Sequence, residues 1–138
     1  MLTTVEKVFR LKAVNIFSAL SGEELAEVAL ITAELERGPG DEIIREGDVD
    51  DALYVIASGR VSVVRGARSL AELGEGEVVG ELALLDPAPR GATVRALSDV
   101  VLLRIDAGAF FEIMQEKQEI ARAVMRVLAR RLRLAGAG

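Results

Sequence analysis

Hydrophobic positions recur at two different spacings along the chain, and the change of spacing divides it. Residues 4 to 34 read as helical: Val5, Val8 and Phe9 fall at helical intervals with Lys12, and Leu25, Val28 and Ala29 continue an apolar face through Ile31 to Ala33. Ser21 followed by Glu24 has the form of a capping box, which predicts a helix start at that point. After Gly38-Pro39-Gly40 the period shortens. Glu42 to Arg45, Ala52 to Ala57, Arg60 to Val64, Leu70 to Leu73, Glu77 to Val79, Ala92 to Leu97 and Val100 to Ile105 read as short strands. In the third of these, Val61 and Val63 share one face and Ser62 the other. Gly47, Gly59, Gly74 and Gly76 read as turn or bulge residues. Seven or eight strands between residues 34 and 105 predict a sandwich, jelly roll or barrel.

The tail returns to helical spacing. Asp106 can cap a segment carrying Phe110, Phe111, Ile113 and Met114. Ile120, Val124, Leu128 and Leu132 then step along a second helix as an amphipathic stripe, ended by Gly136 and Gly138. The expected organisation is a helical segment over residues 1–34, a β unit over 35–105, and hinge and lid helices over 106–138, all in one domain.

Composition narrows the chemistry. The 138 residues contain neither Cys nor His. That excludes disulfides, thiolate metal sites, a Cys nucleophile and a Ser-His-Asp triad. No cofactor or metal is expected, and neither is an enzyme. The net charge of −5 argues against nucleic acid as a partner. Arg122, Arg126, Arg130, Arg131 and Arg133 crowd the last helix; 12 of the 17 basic residues then remain elsewhere against 22 acids. A solvated helix end accounts for most of that basic stretch. No apolar run of about 18 residues is present, and the N-terminus has no basic and apolar leader, so a cytoplasmic location without a membrane span is expected.

One stretch interrupts the strands: Gly80-Glu-Leu-Ala-Leu-Leu-Asp-Pro-Ala-Pro-Arg90-Gly-Ala-Thr-Val94. Residues 81 to 85 make about one helical turn, too short to stand alone. A helix start after Gly80 offers unpaired N–H groups, Pro87 and Pro89 stiffen the return, and Arg90 brings a planar fork suited to phosphate oxygens. Glu81 would repel an anion unless it accepts hydrogen bonds from another part of the same ligand, as from sugar hydroxyls. These groups read as a sugar–phosphate clamp. The alternative is that Arg90 merely pairs with Glu81 or Asp86.

The residues Val79-Gly80-Glu81-Leu82-Ala83-Leu84 and Pro89-Arg90-Gly91-Ala92-Thr93-Val94 resemble the phosphate-binding cassette of the cyclic-nucleotide-binding domain family, which includes protein kinase A regulatory subunits, cyclic-nucleotide-gated channels and catabolite activator proteins. Gly47-Asp48, Asp51 to Ile56 and Ser58 to Val63 resemble a second motif of the same family. The resemblance covers nearly the whole chain. It implies an eight-stranded jelly-roll β-barrel with the cassette over residues 79–94, flanked by N-terminal helices and a C-terminal helical lid.

It also implies roles. Arg90 would pair with the cyclic phosphate, and the backbone of Ala83 and Gly91 would face it. Glu81 would accept the ribose 2′-hydroxyl beside Gly80. Leu82 and Ala92 belong to the same cassette, Val63 would pack on the base, and Arg131 resembles a base-contacting residue of the lid. Val79 stands where the family usually has an aromatic. Gly91 stands where guanine-selective members often carry Thr, so cAMP is expected over cGMP. The expected function is a cAMP-binding regulatory domain that acts through the final helix on a fused or partner effector; an orphan fold serving as an interaction module is the alternative. The stripe on the final helix is equally a candidate homodimer seam.

Overall fold

The computed structural model describes residues 1–136. The chain divides into two compact units, one formed by Thr32–Ala107 and the other by Met1–Ile31 together with the chain from Gly108 onward.

The first unit is a jelly roll of eight strands: β1 (Ala33–Arg37), β2 (Glu42–Ile44), β3 (Ala52–Ser58), β4 (Val61–Arg65), β5 (Arg68–Leu73), β6 (Val78–Val79), β7 (Thr93–Ala96) and β8 (Val100–Asp106). They form two antiparallel four-stranded sheets, ordered β1-β8-β3-β6 and β2-β7-β4-β5. The expected barrel is therefore not closed. The edge strands are poorly made to extend a ladder: β6 has two residues, and three of the five in β1 are charged. Alternation places Tyr54 and Ile56 of β3, Val61 of β4, Val94 and Ala96 of β7, and Val100 and Leu102 of β8 in one core, with Leu35, Val63 and Leu73 packed against it. Position 59 requires glycine on two counts: φ is +90, and a Cβ there would lie 2.9 Å from the Val100 Cα.

β1 corrects the sequence reading, which kept residues 33 and 34 in the helical segment. Glu34-Leu-Glu-Arg carries a single apolar residue, too little to define a period. Pairing with β8, from Ala33 opposite Arg104 to Arg37 opposite Val100, decides its conformation.

The second unit contains α1 (Thr4–Lys12), a 3-10 turn at Asn15–Phe17, α2 (Gly22–Leu30) and α5 (Gln118–Leu134); α4 (Ala107–Glu116) precedes α5. Ser21 and Glu24 form the expected capping box, with the Glu24 amide donating to Ser21 Oγ at 3.2 Å and the Ser21 amide to Glu24 Oε1 at 2.8 Å. Thr3 and Glu6 form a second at the start of α1. The Phe17 and Phe110 rings meet at 5.4 Å.

Two apolar stripes differ from expectation. Val5 and Phe9 of α1 are exposed, while Leu11 is buried. On α5 the buried face is Ile120, Ala123, Val124 and Val127, whereas Leu132 is 58% exposed. Steps of four advance about 40° per turn beyond a full rotation, so a stripe built from them alone winds off the buried face. Helix α4 stops at Glu116, and Lys117, with φ −122 and ψ 82, separates it from α5. Gly138, also read as a helix stop, lies outside the described residues. Among those residues no helix is long and apolar enough to cross a membrane.

Candidate functional site

The sequence segment that breaks the strands folds as a strap within the jelly roll. Gly80, with φ +79, turns the chain out of β6 into α3 (Glu81–Leu85), and the fully buried Leu84 anchors that turn. The return leg is zipped to the Gly47 loop. Arg90 N donates to Asp48 O at 2.8 Å, Gly47 N donates to Arg90 O at 2.8 Å, and Val49 bridges Pro89. Thr93 is buried, and its Oγ1 accepts the Glu46 amide at 3.0 Å. These bonds bring the two sequence motifs together across some forty residues of chain.

The Arg90 side chain is 7% exposed. One terminal nitrogen donates to the Ala52 carbonyl at 2.5 Å and lies 3.5 Å from Asp50 Oδ2. Its Nε is buried and has no hydrogen-bond partner among the described residues. A buried charged donor without an acceptor costs about 1–3 kcal/mol or more, so the guanidinium is incompletely satisfied by the protein alone. Gly80 makes room for it: a Cβ there would lie 2.7 Å from Ala52 O and would overlap the Arg90 guanidinium. Arg90 thus leans on Asp50 and Ala52 rather than on Asp86.

Asp50 is the functional residue the sequence reading missed. Its Oδ1 accepts the Ala52 amide at 3.1 Å and its Oδ2 accepts Tyr54 OH at 3.1 Å. Arg104 in turn donates through Nε to Tyr54 OH at 3.3 Å, reaches Asp50 at 3.8 Å and pairs with Asp106. Burial pushes the Tyr54 phenol up from its ordinary value, the Arg104 hydrogen bond opposes that, and the Asp50 charge adds to it. The signal available in the sequence was the Asp50-Asp51 pair ahead of a strand of apolar residues, but nothing local says which carboxylate turns inward. Asp106, expected as a helix cap, ends β8 immediately before α4 and pairs with Arg104.

Two cavities flank Arg90. Gly80, Glu81, Leu82, Ala83, Arg90 and Gly91 border one of about 460 Å³. The other, also about 460 Å³, is bordered by Val63, Leu73, Val79, Gly80, Arg90, Gly91 and Ala92, with Arg65 at its edge. Both volumes fall in the range of small-molecule sites, about 300–1,000 Å³. The structure therefore gathers Val63, Gly80, Glu81, Leu82, Ala83, Arg90, Gly91 and Ala92 around this pair of cavities. The first carries two carboxylates, Glu81 and Asp86, and the other an apolar wall, a division suited to a sugar phosphate with a flat apolar body. Arg131 is not among them. It belongs to the helical unit, where its Nε donates to Asn15 Oδ1 at 2.7 Å.

Comparison with known proteins agrees with this geometry. Residues 34–117 match the model of the cyclic nucleotide-binding domain. The chain is 32% identical over 120 residues to a CRP-like cAMP-activated global transcriptional regulator of Mycobacterium tuberculosis, covering 81% of this chain and 54% of that one. It is 35% identical over 129 residues to the cyclic AMP receptor protein of Thermus thermophilus, covering 89% and 59%. It thus spans little more than half the length of these relatives. The N-terminal domain of a transcriptional regulator from Streptomyces coelicolor superposes with a TM-score of 0.86 at 36% identity, covering 92% of each chain. Arg90 is buried beside Gly80 and borders both cavities, and the match over residues 34–117 shows that the chain belongs to the cyclic nucleotide-binding domain family.

Proposed function

We propose that this chain is a cAMP-responsive regulatory domain rather than an enzyme. The observation that carries the reading is the buried, incompletely bonded Arg90 guanidinium held against Gly80. Arg90 binds the cyclic phosphate together with the backbone of Ala83 and Gly91. Glu81 accepts the ribose 2′-hydroxyl. The purine packs on Val63. Gly91 carries no hydroxyl to reward guanine, which favours cAMP over cGMP. The relatives named for cAMP support the same ligand class.

Binding acts by differential affinity for two arrangements of the C-terminal helices, since a ligand shifts an equilibrium only by that difference. The break at Lys117 is the hinge, α5 is the lid, and Arg131 exchanges Asn15 for the base when the lid closes. The response passes to a fused or partner effector. A homodimer through α5 would use its exposed flank, because Ile120 and Val124 of the expected seam are buried.

Calorimetric titration with cAMP and with cGMP tests the reading. Saturable binding with cAMP tighter is expected. Tighter cGMP binding overturns the base preference, and no binding of either leaves the interaction-module alternative. Amide exchange over residues 120–133 tests the lid: protection that rises with cAMP supports it, and identical protection removes it.

A further inference from the structure

The cavity bordered by Val63 holds a second guanidinium that neither the sequence motifs nor the clamp accounts for. Arg65 ends β4, and its Nε donates to the Gly91 carbonyl at 2.9 Å, one residue beyond Arg90. A terminal nitrogen of Arg65 stands 3.7 Å from where a Cβ on Gly91 would be, with nothing else within 4 Å. No other hydrogen bond or ion pair engages Arg65 among the described residues. Arg65 and Arg90 border one cavity, whose remaining lining is apolar residues and glycine, with no carboxylate. Asp50 partly offsets Arg90; nothing comparable faces Arg65 across that cavity, although the nearby Glu46 accepts the Gly66 amide at 3.2 Å.

Apart from its bond to Gly91, the local fold disfavours a cation at position 65. In the β4–β5 hairpin it stands directly opposite Arg68, and like charges facing across two strands destabilise the pair. A doubly cationic apolar cavity is matched by a ligand that joins an anion to an apolar body.

We infer that Arg65 is a second phosphate-binding residue of this pocket: docked through Nε on Gly91, it directs its terminal amino groups at the anion held by Arg90. The inference rests on the cyclic-nucleotide reading above and adds a contact to it.

The test is calorimetry of wild type, Arg65→Gln and Arg65→Lys with cAMP, at low and high ionic strength, with urea midpoints as a check on folding. Arg65→Gln is expected to bind about fivefold more weakly at low salt, and the gap to wild type narrows as salt screens the contact. Arg65→Lys keeps the charge and is expected to recover most of the loss. Unchanged affinity in Arg65→Gln overturns the inference. Equal losses in Arg65→Gln and Arg65→Lys also overturn it, because the residue would then act only through its bond to Gly91. A wild type that binds neither cAMP nor cGMP fails the function itself; a wild type that binds while Arg65→Gln is unaffected fails only the role of Arg65.

Discussion

Asp50 Oδ2 lies 3.5 Å from a terminal nitrogen of Arg90, and that carboxylate also accepts the Tyr54 hydroxyl and the Ala52 amide. The pair joins the loop before β3 to the end of the cassette. Because Arg90 is nearly buried and Asp50 only partly exposed, the carboxylate is the main neutralising partner of that guanidinium in the unliganded protein. Asp50→Ala leaves the Arg90 charge short of a partner and is expected to lower stability by about 1–3 kcal/mol. A bound phosphate would restore a counter-charge, so the rise in Tm on adding cAMP should be larger in Asp50→Ala than in wild type. Thermal melts with and without cAMP check both effects; an equal or smaller ligand shift in the variant speaks against the pairing role.

Arg90→Ala removes the clamp itself. A charge-assisted contact in a partly dry site contributes about 1.5–3 kcal/mol, which corresponds to a loss of affinity of about tenfold to a hundredfold. Titration calorimetry reads this directly, and unchanged affinity refutes the clamp.

Gly80→Ala places a Cβ into Ala52 O and the Arg90 guanidinium while holding a non-glycine residue at φ +79. Strain of this kind costs about 1–3 kcal/mol. A lower urea midpoint together with weaker cAMP binding is expected, because the clash displaces Arg90. Loss of stability with intact affinity would mean that the glycine serves only the turn.

Tyr54 makes the stability sensitive to alkali. Its pKa is raised in the folded protein, so the native state holds the proton more tightly than the unfolded chain. That contribution is complete below the unfolded value of about 10 and is lost as pH rises through the folded value. Urea unfolding at neutral and strongly alkaline pH should show a decline in wild type that is smaller in Tyr54→Phe. A decline of the same size in both would place its source elsewhere.

Phe111 of α4 is partly exposed, 38%, close to the break at Lys117. Phe111→Ala is expected to leave cAMP affinity within about threefold while reducing the ligand-dependent protection of residues 120–133, since affinity and lid coupling are separate free energies. Amide exchange with and without cAMP distinguishes that outcome from a general loss of stability, which would lower protection in both states.

How much of this was legible in the chain follows from the range of the interactions involved. The capping box at Ser21, the alternation through Val61 and Val63, and the cassette from Gly80 to Val94 are determined by residues within a few positions of one another, and each was readable as sequence. Segments with weak local signals were not. The charged strand β1 takes its conformation from β8, and the stripe on α5 turns away from its buried face because steps of four outrun the helical repeat. The expectation that Arg90 binds phosphate came from the motif. The partners of Arg90 did not: Asp50 and Ala52 lie some forty residues away, and only the pairing of the Gly47 loop with Pro89 and Arg90 brings them within bonding distance. Arg65 reaches Gly91 across 26 positions, and Arg131 meets Asn15 across 116. Short-range backbone preferences thus determined the elements and the cassette, whereas the electrostatic setting of the site was decided by folding, because charge pairing and burial depend on distances that no local spacing encodes.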